Sequence, residues 1–219
     1  MTIYNNKVIL LIGGQTLMDA AFVQRFLDGG AKEVRVLGSS ETAVQTLREA
    51  LLPETCSINL ETKKRMRFYV GDLSDNAYME EAVTGADFVL FIPAVPRPFD
   101  CEVAPAVTTV NFLDTVTGVL HVATDCGVQK TVVVSPARQE PLLAMPDMLA
   151  ALMETVVIAE GRYLGNDSKT TIICARQDGD LSELADFAFA NGANADLLIQ
   201  SKEIIKSISC ENFDFKRGV

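Results

Sequence analysis

Short runs rich in Val, Ile, Leu and Phe alternate with amphipathic, helix-length stretches from one end of the 219-residue chain to the other. The runs lie at 7–12, 33–37, 66–71, 87–92, 130–135 and 170–175, with a weaker seventh at 196–199. None alternates cleanly between apolar and polar residues, so each reads as a strand buried on both faces. Helical periodicity fills the intervals at 17–28, 41–51, 76–84, 104–126, 146–164 and 182–191. Strands covered above and below and joined through helices form a parallel sheet. The expected fold is therefore α/β: a doubly wound parallel sheet of six or seven strands in three αβα layers. Right-handed crossovers favour the order 3-2-1-4-5-6. No repeat, low-complexity tract or Gly/Ser/Pro-rich linker divides the chain, and the segment 53–65 reads as an exposed excursion.

The first unit is the most specific. A buried strand, Val8 to Ile12, enters a turn at Gly13-Gly14, then a helix with Phe22, Val23, Phe26 and Leu27 on its apolar face. This is the strand–turn–helix context of a Rossmann-like dinucleotide site, whose fingerprint asks for three glycines. Gly13 takes the first place, but Thr16 and Asp19 stand at the second and third. Thr16-x-x-Asp19 is also a capping-box pattern. Such a box satisfies the helix-start N–H groups that a pyrophosphate would use, and Asp19 adds a like charge. The phosphate site is expected to be closed or weakened. At the end of the second strand, Ser39 and Ser40 replace the acid or Arg that would select NAD or NADP, and they suit a cap for the helix from Glu41.

Composition removes other classes. The formal net charge is −10, and no basic cluster exceeds Lys63-Lys64-Arg65, which argues against a nucleic-acid surface. The five cysteines are scattered without a C-x-x-C, as reduced thiols of a cytoplasmic protein would be. The apolar runs are strand-sized and no leader pattern precedes the first strand, so neither a membrane span nor a signal peptide is expected. His121, the single histidine, has no metal partners at ligand spacing and is expected to pack or to lie at an interface. Glu80-Glu81 reads as a solvated helix face, and Arg97 as a partner of Asp100 or Glu102.

Five further segments carry a likeness: Gly29-Gly-Ala-Lys-Glu-Val-Arg-Val-Leu37, Arg67-Phe-Tyr-Val-Gly-Asp-Leu-Ser-Asp75, Ala86-Asp-Phe-Val-Leu-Phe-Ile-Pro-Ala94, Cys101-Glu-Val-Ala-Pro-Ala-Val-Thr-Thr-Val-Asn111 and Gly127-Val-Gln-Lys-Thr-Val-Val-Val-Ser135. In this order, over roughly residues 5–176, the chain resembles the extended short-chain dehydrogenase/reductase superfamily, and within it the CapD-like nucleotide-sugar 4,6-dehydratases of polysaccharide biosynthesis. The resemblance implies one NAD(P)-binding domain over 1–219, with 177–219 a shortened remnant of the family's sugar-nucleotide domain. It implies NAD or NADP as cofactor, in a weak or lost site formed by Gly13, Gly14, Gln15, Thr16, Leu17, Ser39, Ser40, Asp72, Leu73, Pro93, Ala94 and Val95. A nucleotide-sugar is the implied second ligand.

The catalytic groups of the resembled family are missing. After Ser135 the chain reads Pro136-Ala-Arg138 where the family has Thr-Asp-Lys. Met145-Pro-Asp-Met-Leu149 occupies the place of its Tyr-x-x-x-Lys, and Tyr163 lies too far along the helix to substitute. Arg176 survives from the motif after the sixth strand, and Asn111 and Ser135 remain as remnants of the active site without forming a proton relay. The expectation is a non-catalytic regulator or partner. The alternatives are an active NAD(P)-dependent dehydratase, epimerase or oxidoreductase, and a structural subunit that binds no nucleotide. Helices 104–126 and 146–164 are apolar on more than one side, so a homodimer through them is expected.

Overall fold

A computed structural model describes residues 2–13, 17–52, 60–136, 144–165, 169–176, 181–201 and 204–208. The elements run β1 (Val8–Ile12), α1 (Leu17–Asp28), β2 (Glu33–Gly38), α2 (Glu41–Leu51), α3 (Leu60–Lys64), β3 (Met66–Val70), α4 (Asn76–Val83), β4 (Phe88–Phe91), α5 (Pro98–Val103), α6 (Pro105–Asp125), β5 (Lys130–Ser135), α7 (Met145–Gly165), β6 (Thr171–Arg176), α8 (Leu181–Asn191), β7 (Asp196–Ser201) and β8 (Ile204–Ile208). They form one eight-stranded sheet in the order β3-β2-β1-β4-β5-β6-β7-β8. Strands β1 to β7 are parallel, and β8 pairs antiparallel with β7. The order inferred from crossover handedness is thus present, extended by β7 and β8.

Period-two geometry explains the uninterrupted apolar strands. Successive side chains point to opposite faces. Ile9 and Leu11 of β1 enter one core with Phe22, Phe26, Leu184 and Phe189 of α1 and α8. Leu10 and Ile12 enter the other with Met79, Val116, Leu120 and Met153 of α4, α6 and α7. β4 divides the same way, Phe88 and Leu90 against Val89 and Phe91. β1 and β4 thus each seal two cores at once, and a polar residue on either face would need a partner.

The structure departs from the sequence reading at four places. The segment ending at 65 is not wholly an excursion: 60–64 form α3, and Arg65 donates to the carbonyls of Leu27 and Ala31 at the end of α1 (2.9 and 2.5–2.9 Å). The helix read at 104–126 is present as α6, but a separate short helix, α5, precedes it unanticipated, with Ala104 at the joint (φ −143°, ψ 63°) and Pro98 and Pro105 opening the two. Pro suits a first helical turn because its missing N–H has no intrahelical acceptor there. The β8 strand was not anticipated. Finally, α6 is 21 residues long and apolar enough to pass a membrane-span criterion by length and composition. It nonetheless packs on the sheet through Phe112, Val116, Val119, Leu120 and Ala123.

Candidate functional site

The sheet order reverses at β1, which has β2 on one side and β4 on the other. Crevices at such a switch point open at the carboxyl ends of the strands. Here they form a cavity of about 330 Å³, walled by Gly13, Ser39 and Leu73 on one side, Phe91 to Ala94 beneath, and Pro96, Asp100, Thr108, Asn111, Phe112, Thr115 and Val116 from the α5–α6 side.

Gly13 forms the floor. Its φ of +150° strains any residue but glycine, and a Cβ there would crowd the Ile92 carbonyl oxygen at 3.2 Å. Its N–H donates to the Leu37 carbonyl (2.9 Å). Ser40 is the N-cap of α2 and accepts from the Ala43 N–H (3.3 Å), whereas Ser39 faces the cavity.

The Gly71-Asp-Leu-Ser-Asp75 segment is folded by its own side chains. The Gly71 N–H continues the ladder to the Gly38 carbonyl (3.1 Å). The Tyr78 ring lies where a Cβ on Gly71 would stand, and its hydroxyl accepts from the Val70 N–H (3.1 Å). Asp72 accepts from the Ser74 N–H (2.9 Å), and this bond holds its exposed carboxyl below the usual range. Asp75 caps α4 through the N–H groups of Ala77 and Tyr78.

On the opposite wall the Asp100 carbonyl accepts from Ala104 N–H (3.2 Å) and Thr108 Oγ1 (3.0 Å), locking the α5–α6 joint. The Arg97 guanidinium holds the Asp100 carboxylate with two bonds (2.9 and 3.1 Å), as its position in the sequence suggested. Beyond Leu73, Asn111 and Thr115 the crevice opens into a wider polar groove along α6, where Asp72, Asn76, Asp114, His121 and Asp125 lie. His121 is exposed and meets Glu160 of α7 at 3.2 Å.

The carboxyl ends of β5 and β6 are different in kind. Ser135 pairs in register with Arg176. Ser135 is fully buried, and its Oγ has no hydrogen-bond partner among the described residues. Arg176 is held bidentately by Glu154 of α7 (2.8 and 2.5 Å). The neighbouring α7 side chains, Leu149, Ala150 and Met153, are also buried. Tyr163 is 71% exposed on the outer face of the helix.

The sequence-derived residues therefore separate. Gly13, Ser39, Leu73, Pro93, Ala94 and Asn111 share one cavity, and Asp72 stands in the adjoining groove. Ser40 is committed to α2, Val95 packs against the core, and Ser135 is sealed away. Leu17 opens α1, while Gly14, Gln15, Thr16 and the side chain of Asp19 lie outside the described residues, and the capping box with them. The reading missed Thr108, Phe112 and Thr115, which share the Asn111 face at helical spacing. It also missed Glu154, an acid on a stripe formed by Ala150, Met153, Val157 and Gly161.

The model of a family described as polysaccharide biosynthesis protein matches residues 9–177. The chain belongs to that family. A UDP-glucose 4-epimerase of Rickettsia rickettsii (strain Sheila Smith) is 29% identical over 183 residues, 80% of this chain and 49% of the relative. The epimerase of Rickettsia bellii (strain RML369-C) gives the same figures. The chain thus spans about half the length of the curated relatives it matches. Among solved structures, Pen from Bacillus thuringiensis superposes with a TM-score of 0.77 at 17% identity, over 95% of this chain and 74% of that one. A double mutant of DesIV, a dTDP-glucose 4,6-dehydratase from Streptomyces venezuelae with NAD and DAU bound, gives 0.68 at 19%, over 90% and 76%. These likenesses support the Rossmann-like fold, and the family match bears out the resemblance to the polysaccharide-biosynthesis group.

Proposed function

We propose that this is a catalytically degenerate family member, a non-catalytic regulator or partner that retains a nucleotide crevice. The carrying observation is the buried, unpartnered Ser135 hydroxyl beneath α7. Proton transfer to or from a sugar needs a donor within hydrogen-bond reach of it. Ser135 Oγ reaches no solvent, the buried side chains of the neighbouring helix include Leu149, Ala150 and Met153, and Met145 to Leu149 supply neither Tyr nor Lys.

The crevice itself suits the adenosine half of a dinucleotide. Leu73 and Phe112 supply apolar walls for a base, Ser39 a hydroxyl for the ribose, and Gly13 the close backbone approach. In this reading Gly13, Gly14, Gln15, Thr16, Leu17, Ser39, Asp72, Leu73, Pro93 and Ala94 contact the nucleotide. NAD or NADP, when bound, would supply hydride chemistry that these residues do not complete. The protein acts as a homodimer, covering Val103, Val107 and Val110 of the α5–α6 arm with their symmetry mates and with Met148 and Leu152 of α7, all of which are exposed.

The test is turnover of UDP- and dTDP-hexoses with NAD and NADP, alongside binding of both cofactors. The expected result is no 4-keto sugar and no C4 epimer above a heat-killed control, with measurable nucleotide binding. Product formation would establish the second reading, an active nucleotide-sugar epimerase or dehydratase. That reading draws on the Rickettsia relatives that bear the name UDP-glucose 4-epimerase. No binding at millimolar nucleotide would instead leave a structural subunit.

A further inference from the structure

The basic run Lys63-Lys64-Arg65 has no part in the crevice, and the fold sets it at the amino end of β3, the terminal strand of the sheet. Arg65 turns inward to the carbonyls of α1, while Lys63 and Lys64 are exposed. In a chain of net charge −10 this end of the sheet is a local exception.

Hydrogen-bond parity fixes which groups of β3 face outward. The Val34 N–H donates to the Arg65 carbonyl and the Gly71 N–H to the Gly38 carbonyl (2.7 and 3.1 Å), so the odd-numbered residues pair with β2. In a parallel ladder the N–H and C=O groups of the alternate residues, Met66, Phe68 and Val70, then point away from β2. The Val70 N–H meets the Tyr78 hydroxyl (3.1 Å), which closes the carboxyl end of this edge. Met66 and Phe68 are left to present main-chain donors and acceptors along it. Beside them runs a groove of about 870 Å³ between α2 and β3, lined by the apolar Leu52, Met66 and Phe68 and by the cations Arg48 and Lys63. Arg48 lies over the Phe68 ring (6.0 Å). Glu49, an acid in the same groove, accepts from Gln45 (2.7 Å).

We infer that the β3 edge docks an extended, acidic peptide segment of a partner protein, which pairs with the backbone of Met66 and Phe68 and sets its carboxylates against Arg48 and Lys63. Main-chain pairing supplies affinity in such an added strand, and its alternate side chains fall over the groove, which takes apolar groups on Phe68 and acids on the cations. The groove shares no lining residue with the nucleotide crevice, so the assignment stands whether or not a nucleotide binds.

Fluorescence anisotropy with the full chain tests this. The probes are a labelled, end-blocked peptide Glu-Thr-Val-Thr-Glu-Thr-Val, its counterpart with Lys for Glu, and two forms of the first N-methylated on alternate residues. The Glu peptide should bind about tenfold tighter than the Lys peptide at low salt, and the gap should narrow at high salt. One N-methylated form, the one whose blocked edge meets β3, should lose about tenfold, and the other should not. Phe68→Pro removes an outward N–H without breaking a bond to β2 and should abolish binding. Arg48→Glu and Lys63→Glu should each weaken the Glu peptide and strengthen the Lys peptide. Circular dichroism verifies folding, and the two charge variants carry the test if Phe68→Pro does not fold. Equal affinity for the Glu and Lys peptides, full binding by both N-methylated forms, or no binding at millimolar peptide overturns the inference. A dimer that Phe68→Pro or Lys63→Glu dissolves gives the edge to a second copy of the chain and overturns it as well.

Discussion

At the scale of single residues, buried polar groups define what the molecule is built to hold. Glu154 is 3% exposed and pairs bidentately with Arg176, binding α7 to the end of β6. Removing one member of a buried pair strands the charge of the other. Glu154→Ala should lower unfolding free energy by about 3–5 kcal/mol, measured by urea denaturation. Glu154→Leu combined with Arg176→Leu should lose far less. A loss under 1 kcal/mol in the single variant would show the pair to be superficial. Tyr4 is the second case. Its hydroxyl donates to Asp186 of α8, which also binds Arg25 of α1, so one carboxylate joins the N-terminal turn to two helices. Burial, then the bond to Asp186, pushes the phenol far above its ordinary value. Unfolded, the phenol ionises near 10; folded, it keeps its proton well above that. Its contribution is therefore complete below pH 10 and drains away as pH rises further. Melting temperature should fall between about pH 10 and 11.5. Tyr4→Phe should flatten part of that fall while costing about 1 kcal/mol at pH 7; an unchanged alkaline slope would exclude Tyr4 as its source.

At the scale of elements, the β3–α4 turn shows how a motif earns its residues. Gly71 is glycine because the Tyr78 ring occupies its side-chain space, and that ring is fixed by its bond to Val70 N–H and an edge contact with Tyr69 (6.5 Å). Gly71→Ala should cost about 1–3 kcal/mol by forcing the ring aside. Adding Tyr78→Ala should bring the double variant close to Tyr78→Ala alone, and strict additivity in that cycle would refute the steric explanation. The Gly-Asp-Leu segment was readable as a motif, but its reason was not, since Tyr78 sits on the next helix. The α5–α6 arm teaches the converse. Its apolar periodicity runs through Ala104 without interruption. Only the Asp100 carbonyl, shared by Ala104 and Thr108, shows that a separate helix, α5, precedes the one read at 104–126.

At the scale of the whole molecule, the surplus apolar surface is smaller than the sequence suggests. Phe112, Val116, Val119 and Leu120 of α6, and Leu149, Met153 and Val157 of α7, are consumed by the sheet and by one another. What remains outside is concentrated in the first turns: Phe99, Val103, Val107 and Val110 are 54–68% exposed, and Met148 and Leu152 about 42%. A dimer through this surface predicts a light-scattering mass near twice the 23.8 kDa of the chain. Val107→Asp and Leu152→Asp should each shift it to the monomer without loss of helical signal. A native mass near 24 kDa at micromolar concentration would exclude the dimer. Met153 is unsuited to this test, because it is fully buried and its replacement reports on the core alone.

The sequence by itself determined the sheet, its order and the ends of most elements, because strands buried on both faces must be continuously apolar and parallel strands must be joined through helices. It also determined which ends of β1, β2 and β4 meet at the crevice, since Gly13, Ser39 and Pro93 follow those strands directly. Only the tertiary structure decided what lies between them. The α6 wall, the sealing of Ser135 under α7 and the Glu154–Arg176 pair join residues far apart in the chain. Periodicity shows that a face is covered, and the packing of the elements alone fixes which side chain covers it.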